Sequence, residues 1–293
     1  MPELFDSEFL ARLEYLALVA KRIARGELRA DRITKKRGAG VEFADFREYI
    51  AGDDFRYIDW NAYARLGQLL LKMYEEEQDL HVYFLLDTSH SMETGDPSKL
   101  RYGKQLVAAL AYIALSNLDR AGISMFAGRL VGEIPVARGK SRIMPMLRFL
   151  EDAAATGEDT NLVHSVDAFL HRARRRGIVV VVSDLLDPRG FREGLDRLRF
   201  SRHQSHILHL LASADREPGM LGDLDLVDVE SGQVKQVTVT ERSISSYRGA
   251  YDRFVNGVAL YGKQFEVPVL QVATEMDLED VILDLFRRGG LLQ

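Results

Sequence analysis

Residues 81–92 read "HVYFLLDTSHSM", a stretch in which an apolar run stops abruptly at Asp87. A short apolar run that ends in a turn predicts a buried β-strand. Ser89 and Ser91 follow the carboxylate at alternate positions. One carboxylate and two hydroxyls at a strand end suit a nucleophile, a cradle for a metal ion, or a plain loop that leads into a helix. The rest of the sequence has to decide between these alternatives.

Strand-like and helix-like segments alternate along the remainder of the chain. The run "GIVVVVSDLLD" at 177–187 is rich in β-branched residues and is typical of a strand buried on both faces. Further strands are predicted at 121–128, 130–136, 205–212 and 267–274, and helices at 98–118, 141–152, 162–176, 190–200, 245–264 and 278–288. This alternation predicts an α/β fold with a doubly wound, mostly parallel sheet covered by helices on both faces.

Two features stand outside this alternation. Residues 226–240 alternate in polarity around a Ser-Gly pair, which predicts an antiparallel hairpin inserted into the domain. Near the N-terminus, a helix is predicted at 6–25, and residues 38–77 are dense in aromatics, arginines and aspartates, a composition suited to internal ion pairs. We therefore expect a smaller N-terminal segment at 1–79 and the α/β domain at 80–293.

The composition excludes several classes of protein. The chain of 293 residues contains no cysteine, which excludes disulfides, thiolate catalysis and cysteine-based zinc sites. Its net charge of −5 is too small to indicate a nucleic-acid or membrane partner, and the basic runs at 21–37 and 172–176 suit solvated helix ends. The N-terminus lacks the pattern of a signal peptide, and no apolar stretch is long enough to span a bilayer, so we expect a cytoplasmic protein.

Two further polar residues occupy positions related to that of Asp87. Asp184 ends the second apolar run, and Thr160 precedes the helix predicted from residue 162. Ligands of open α/β sheets bind outside the carboxyl ends of the strands, so these side chains can meet. Carboxylate and hydroxyl oxygens are hard ligands that suit Mg²⁺ or Mn²⁺. In an extended loop, Ser89 and Ser91 would point to the same side as Asp87.

Each of these residues also has a simpler explanation. The two serines can satisfy backbone groups of a turn, as serines do in many loops. Thr160 can be the N-cap of the helix that follows it. Asp187 lies three residues beyond Asp184 and is an alternative acid. These alternatives stay open at the level of the sequence.

The pattern Asp87-x-Ser89-x-Ser91, followed by Thr160 and Asp184, resembles the metal-ion-dependent adhesion site of von Willebrand factor type A domains. The resemblance covers about residues 80–290 and implies a doubly wound α/β fold with one antiparallel edge strand. It also implies that the five side chains hold Mg²⁺ or Mn²⁺. An acidic residue from a protein partner would then complete the coordination of the metal.

Residues 40–77, "GVEFADFREYIAGDDFRYIDWNAYARLGQLLLKMYEEE", are similar to the core signature of the bacterial family called domain of unknown function 58. Members of that family join such a segment to a type A-like domain and are commonly associated with AAA+ ATPases of the MoxR type. The resemblance therefore implies an adaptor or co-chaperone that works with a MoxR-type ATPase in the assembly or maturation of other proteins. It implies a binding protein and not an enzyme.

Two enzymatic alternatives are weaker. Asp87 would be the nucleophile of a Mg²⁺-dependent phosphatase or hydrolase, but that chemistry usually needs a second acid at position +2, where this chain has Ser89. A serine hydrolase would use His90 as the base for a neighbouring serine. Adjacent side chains in an extended loop point apart, and the chain has no G-x-S-x-G turn.

Overall fold

The computed structural model describes residues 4–27, 42–50, 52–75, 80–156, 160–217, 219, 221–227 and 234–287. The chain divides into two compact units. The larger unit contains residues 1–26 and 80–293, and the smaller one contains residues 27–79. Each unit is described separately below.

The smaller unit is built on an antiparallel pair of strands, β1 (Glu42–Glu48) and β2 (Leu70–Glu75), with a short helix, α2 (Trp60–Leu66), between them. The carboxylate of Asp59 caps α2 by accepting hydrogen bonds from two backbone amides of its first turn. The predicted internal ion pairs are confirmed in two cases. Arg47 lies 2.7 Å from Asp53, and Arg56 lies 2.6 Å from Asp54.

The larger unit contains a six-stranded sheet. Its strands are β3 (His81–Asp87), β4 (Arg120–Phe126), β5 (Leu130–Arg138), β6 (Ile178–Ser183), β7 (Gln204–Leu211) and β10 (Val269–Ala273). Their order across the sheet is β10-β7-β6-β3-β4-β5. All neighbouring strands are parallel except β5, which pairs antiparallel with β4 at one edge. The central strand β6 is buried along its whole length, as its run of β-branched residues predicts.

Helices cover both faces of this sheet. The helices of the larger unit are α1 (Ser7–Glu27), α3 (Lys99–Ser116), α4 (Ile143–Glu151), α5 (Leu162–Arg172), α6 (Arg192–Phe200), α8 (Glu241–Phe265) and α9 (Leu278–Arg287), together with the four-residue α7 (Ser213–Arg216), which has no buried residue. One apolar cluster joins α1, α3, α4 and α9 to the sheet, and a second joins α5, α6 and α8 to it. The predicted doubly wound α/β fold is therefore confirmed. None of the helices within the described ranges is both long enough and apolar enough to cross a bilayer.

Helix α1 belongs to the larger unit, which differs from the sequence-based grouping of residues 1–79. Phe9, Leu13 and Leu16 are buried in the same apolar cluster as α3 and α9. Arg12 adds ion pairs to Asp277 and Glu279 near the start of α9. An amphipathic helix shows in its sequence that it must bury one face, but it does not show which neighbour covers that face.

This packing predicts a large effect of shortening one side chain of α1. Leu13→Ala removes a fully buried side chain and is expected to lower the free energy of unfolding of the larger unit by about 2–5 kcal/mol. Leu18, on the same helix, is 64% exposed, so Leu18→Ala is the matched control and should change it by less than about 0.5 kcal/mol. Urea denaturation measures both values. Equal, small effects would contradict a role of α1 in the core.

The predicted hairpin lies between α7 and α8. Its strands are β8 (Gly222–Val227) and β9 (Val234–Val239), and its turn falls outside the described residues. Most of its described side chains are exposed, and none of them belongs to either apolar cluster. The hairpin is therefore an appendage whose described part adds nothing to the core.

Candidate metal centre

The candidate site lies where β3 and β6 end side by side. The two strands are parallel neighbours, with Leu86 opposite Val182 in the register. Their next residues, Asp87 and Ser183, consequently meet at the carboxyl edge of the sheet. The Ser183 hydroxyl donates a hydrogen bond of 2.6 Å to Asp87 Oδ2, and both residues are buried.

The first of the two serines that follow Asp87 is hydrogen-bonded to it, and the second contacts the first. The backbone amide of Ser89 donates to Asp87 Oδ1 at 2.9 Å. The hydroxyls of Ser89 and Ser91 are hydrogen-bonded to each other, with their oxygens 3.0 Å apart. The segment is not the extended loop that the alternate spacing suggested, because His90–Glu93 form a turn of 3-10 helix. The tight turn, and not strand-like alternation, brings the two hydroxyls together.

Thr160 is buried, and described residues on either side of it are tied to the ends of β3 and β4. On one side of it the Thr156 amide donates to Thr88 O at 2.8 Å, and on the other the Asn161 amide donates to Ala127 O at 3.1 Å. Thr160 is not the N-cap of α5. That position belongs to Asn161, whose side chain accepts a hydrogen bond from the His164 amide.

The structure distinguishes the two candidate acids after β6. Asp187 serves the backbone, because its carboxylate accepts hydrogen bonds from the Leu162 amide at the start of α5 and from the Arg189 amide. Asp184 is the first residue after the strand and is also buried. Its charge is close enough to Asp87 to raise the pKa of that carboxyl. Asp184 is thus the acid that shares the site with Asp87.

A lysine that the sequence analysis did not single out completes the cluster. Lys99 is fully buried, and its Nζ lies 2.7 Å from Asp184 Oδ2 and 2.5 Å from Asp215 Oδ2. Burial alone would lower the pKa of Lys99, but the attraction of the two carboxylates outweighs burial and raises it. The lysine is therefore charged at neutral pH. Its sequence position, directly after the N-cap Ser98, carries no periodic signal of this role.

The electrostatics of Asp87 are dominated by its burial and by a neighbouring negative charge. Burial is the main reason that the pKa of Asp87 rises to about 7, and the negative charge of Asp184 raises it further. Hydrogen bonds from Ser183 and Ser89 oppose these effects without cancelling them. A cation next to Asp87 would relieve the cost of ionising it.

The donor set fits a small divalent cation. Ligand oxygens at 2.0–2.1 Å in neighbouring positions of a Mg²⁺ octahedron lie about 3.0 Å apart, and the Ser89 and Ser91 oxygens have that separation. No group of three or more His, Asp or Glu side chains within the described ranges is arranged to hold a metal ion. Binding here would therefore depend on the hydroxyls as well as on the two carboxylates.

The enzymatic alternatives find no support in this geometry. Both Asp87 oxygens already accept hydrogen bonds and the residue is fully buried, which is unfavourable for a nucleophile. His90 directs its Nδ1 to Glu93 Oε2 at 3.0 Å and not to a serine hydroxyl. A serine hydrolase would need a base within hydrogen-bond reach of its nucleophile.

Fold and site together define a doubly wound α/β domain with an oxygen-rich candidate cation site at the carboxyl edge of its sheet. The family model described as "Protein of unknown function DUF58" matches residues 45–256, so the chain belongs to the DUF58 family. The family assignment expected from residues 40–77 is thereby confirmed.

Similar proteins include two from Mycobacterium species. Uncharacterized protein Mb1516 of Mycobacterium bovis is 27% identical over 300 residues, which cover 98% of this chain and 92% of that protein. Uncharacterized protein MAV169 of Mycobacterium avium is 26% identical over 163 residues, or 54% of this chain and 96% of that protein.

Solved structures with some similarity include the conserved hypothetical protein BatB from Bacteroides thetaiotaomicron. It has a TM-score of 0.44 and 15% identity, and the match covers 72% of this chain and 100% of that one. The SpRpn10 VWA domain has a TM-score of 0.38 and 9% identity, and the match covers 71% of this chain and 95% of that one.

Proposed function

We propose that this DUF58 protein is a non-catalytic, metal-dependent protein-binding module. In this proposal Asp87, Ser89, Ser91, Thr160 and Asp184 hold Mg²⁺ or Mn²⁺. The observation that carries it is the 3.0 Å separation of the two serine hydroxyls beside two buried carboxylates. When bound, the metal would supply an electrophilic position for an oxygen ligand from outside the chain.

The character of the donors explains why that ligand would be acidic. Hydroxyl oxygens are neutral, so they coordinate a cation without reducing its charge. The two Asp87 oxygens are engaged by Ser183 and by the backbone amide of Ser89, which limits how much charge this carboxylate can transfer directly. An ion held in this way keeps a strong attraction for a carboxylate. A Glu or Asp side chain of a partner protein has the matching charge and oxygen chemistry.

The proposed partner is a MoxR-type AAA+ ATPase. This part of the proposal rests on membership of the DUF58 family and on the resemblance of the domain to type A domains, which bind proteins through a metal. The protein would then act as an adaptor or co-chaperone in the assembly or maturation of other proteins.

Affinity capture from a native lysate tests this function. The wild type and Asp87→Ala are each immobilised with Mg²⁺ or with a chelator, and retained proteins are identified by mass spectrometry. We expect a MoxR-type ATPase to be retained only by the wild type with Mg²⁺. Asp187→Asn, a change three residues from Asp184 that leaves the proposed ligands in place, should behave as the wild type. Equal retention under all conditions would refute metal-dependent binding.

A further inference from the structure

The placement of Lys99 is unfavourable in two respects. It is the first residue of α3, where the helix dipole favours anions over cations. It is also fully buried, and a buried ammonium group is costly unless it is paired and hydrogen-bonded. Among the described residues, two carboxylate partners, Asp184 and Asp215, make this position tenable for a lysine. A leucine or methionine would fill the same space without these costs.

Lys99 also changes what Asp184 can offer to a metal. Asp184 Oδ2 receives the ammonium group at 2.7 Å, and Asp184 Oδ1 accepts the Leu186 amide at 3.0 Å. Both oxygens of this proposed ligand are thus engaged before any metal arrives. The partner that can release the lysine from Asp184 is Asp215 on α7, at 2.5 Å from the same Nζ.

We propose that Lys99 is a resident counter-cation of the site, which competes with the metal for Asp184 and so sets the affinity of the metal centre. The inference rests on the proposed function, because it concerns the same site. Asp215 has the complementary role: by sharing the ammonium group, it reduces the hold of Lys99 on Asp184. Competition by Lys99, moderated by Asp215, therefore keeps the affinity for the metal low. The bound ion retains an open coordination position for a partner.

Isothermal titration calorimetry with MgCl₂ tests this inference on the full chain. The decisive variant is Lys99→Met combined with Asp215→Asn, which removes the competing cation without changing the net charge. Competition for Asp184 predicts a Mg²⁺ dissociation constant at least about 10-fold lower than that of the wild type, whereas long-range charge effects predict little change. The double substitution leaves no unpaired charge at position 215, and it leaves Asp184 without its ammonium partner, so that a bound metal ion becomes the cation that neutralises Asp184.

A matched control lies next to Asp215 in the sequence. Arg216 and Asp252 form an exposed ion pair at 2.9 Å. Arg216→Gln combined with Asp252→Asn likewise removes one positive and one negative charge from the same region, and it should leave the dissociation constant unchanged. If this control tightens binding as much as the decisive variant does, competition at Asp184 is refuted.

A second variant keeps the inference testable if the double substitution does not fold. Asp215→Asn is nearly isosteric and, within the described part of the chain, leaves Lys99 with Asp184 as its one carboxylate partner, so Mg²⁺ binding should weaken at least about 5-fold. Asp252→Asn makes the same charge change at an exposed position and should have no effect. Equal affinity of Asp215→Asn and the wild type would overturn the inference.

The outcomes also separate the inference from the proposed function. If the wild type binds Mg²⁺ and the Lys99→Met, Asp215→Asn variant binds it equally well, the metal site stands and the role of Lys99 is refuted. Binding by the double variant alone would support the inference, because the lysine would then exclude the ion from the wild type. If none of these proteins binds Mg²⁺, the metal site and the inference are both refuted.

Discussion

Replacing Asp87 with asparagine is expected to abolish the stabilisation that Mg²⁺ gives to the wild-type protein. At a free concentration 100 times its dissociation constant, a ligand that binds only the native state adds about 2.7 kcal/mol to the free energy of unfolding. The variant should gain close to nothing. The same change should stabilise the metal-free protein at pH 8 by roughly 1–3 kcal/mol, because it removes a buried charge beside Asp184.

Differential scanning calorimetry at several MgCl₂ concentrations, with chelator as the reference, measures both effects. Asp187→Asn is the matched control, since Asp187 is a neighbouring buried carboxylate that holds backbone amides. It should keep the full response to Mg²⁺. A normal response in Asp87→Asn would show that this carboxylate does not contribute to metal binding.

The affinity for Mg²⁺ should rise with pH across neutrality. Metal binding requires the ionised form of Asp87, and burial next to Asp184 raises the pKa of this carboxyl to about 7. A proton therefore competes with the metal below that pH. The dissociation constant at pH 5.5 should be about 30-fold higher than at pH 8.5, and close to one proton should be released for each ion bound at pH 6.

The metal-free protein should show the opposite trend in stability. The pKa of Asp87 is higher in the folded state than the ordinary carboxyl value of 3.8. The associated stabilisation is fully present below that ordinary value and is lost as the pH rises through about 7. The stability gained from Mg²⁺ should accordingly be greatest above pH 7.

Calorimetric titrations at pH 5.5, 6.5, 7.5 and 8.5 test the pH dependence of binding. Repeating each titration in buffers of different ionisation enthalpy gives the number of protons released. Affinity that is constant over this range, with no proton release, would contradict a proton on Asp87 as the competitor.

Much of the site follows from rules that act locally along the sequence. An apolar run that ends in an acid places that acid at the carboxyl edge of a parallel sheet, and this reasoning identified both Asp87 and Asp184. The parallel pairing of β3 with β6 then places the ends of the two strands, and with them the two acids, next to each other. The fold class followed from the same alternation of strands and helices, because each element must cover the apolar face of another.

Other parts depend on tertiary contacts and have no local signature. In the sequence, Lys99 looks like an ordinary charged residue at the start of a helix. Its role depends on its ion pairs with Asp184 and Asp215, which are distant in sequence and are brought to its ammonium group by the fold. Asn161, and not Thr160, is the N-cap of α5. The two positions differ by one residue, and helix boundaries are defined only to within one or two residues.

The hairpin formed by β8 and β9 has a consequence for how the family can diversify. Its strands lie outside both apolar clusters, whereas the segment before it is held firmly, with Asp215 bound to Lys99 and the Tyr247 hydroxyl donating to Asp215 O at 2.6 Å. The sequence of the described strands of the hairpin can therefore change at little cost to folding, while the segment that attaches the hairpin beside the site is preserved. Among family members, we expect sequence and length to vary more in the hairpin than at its base.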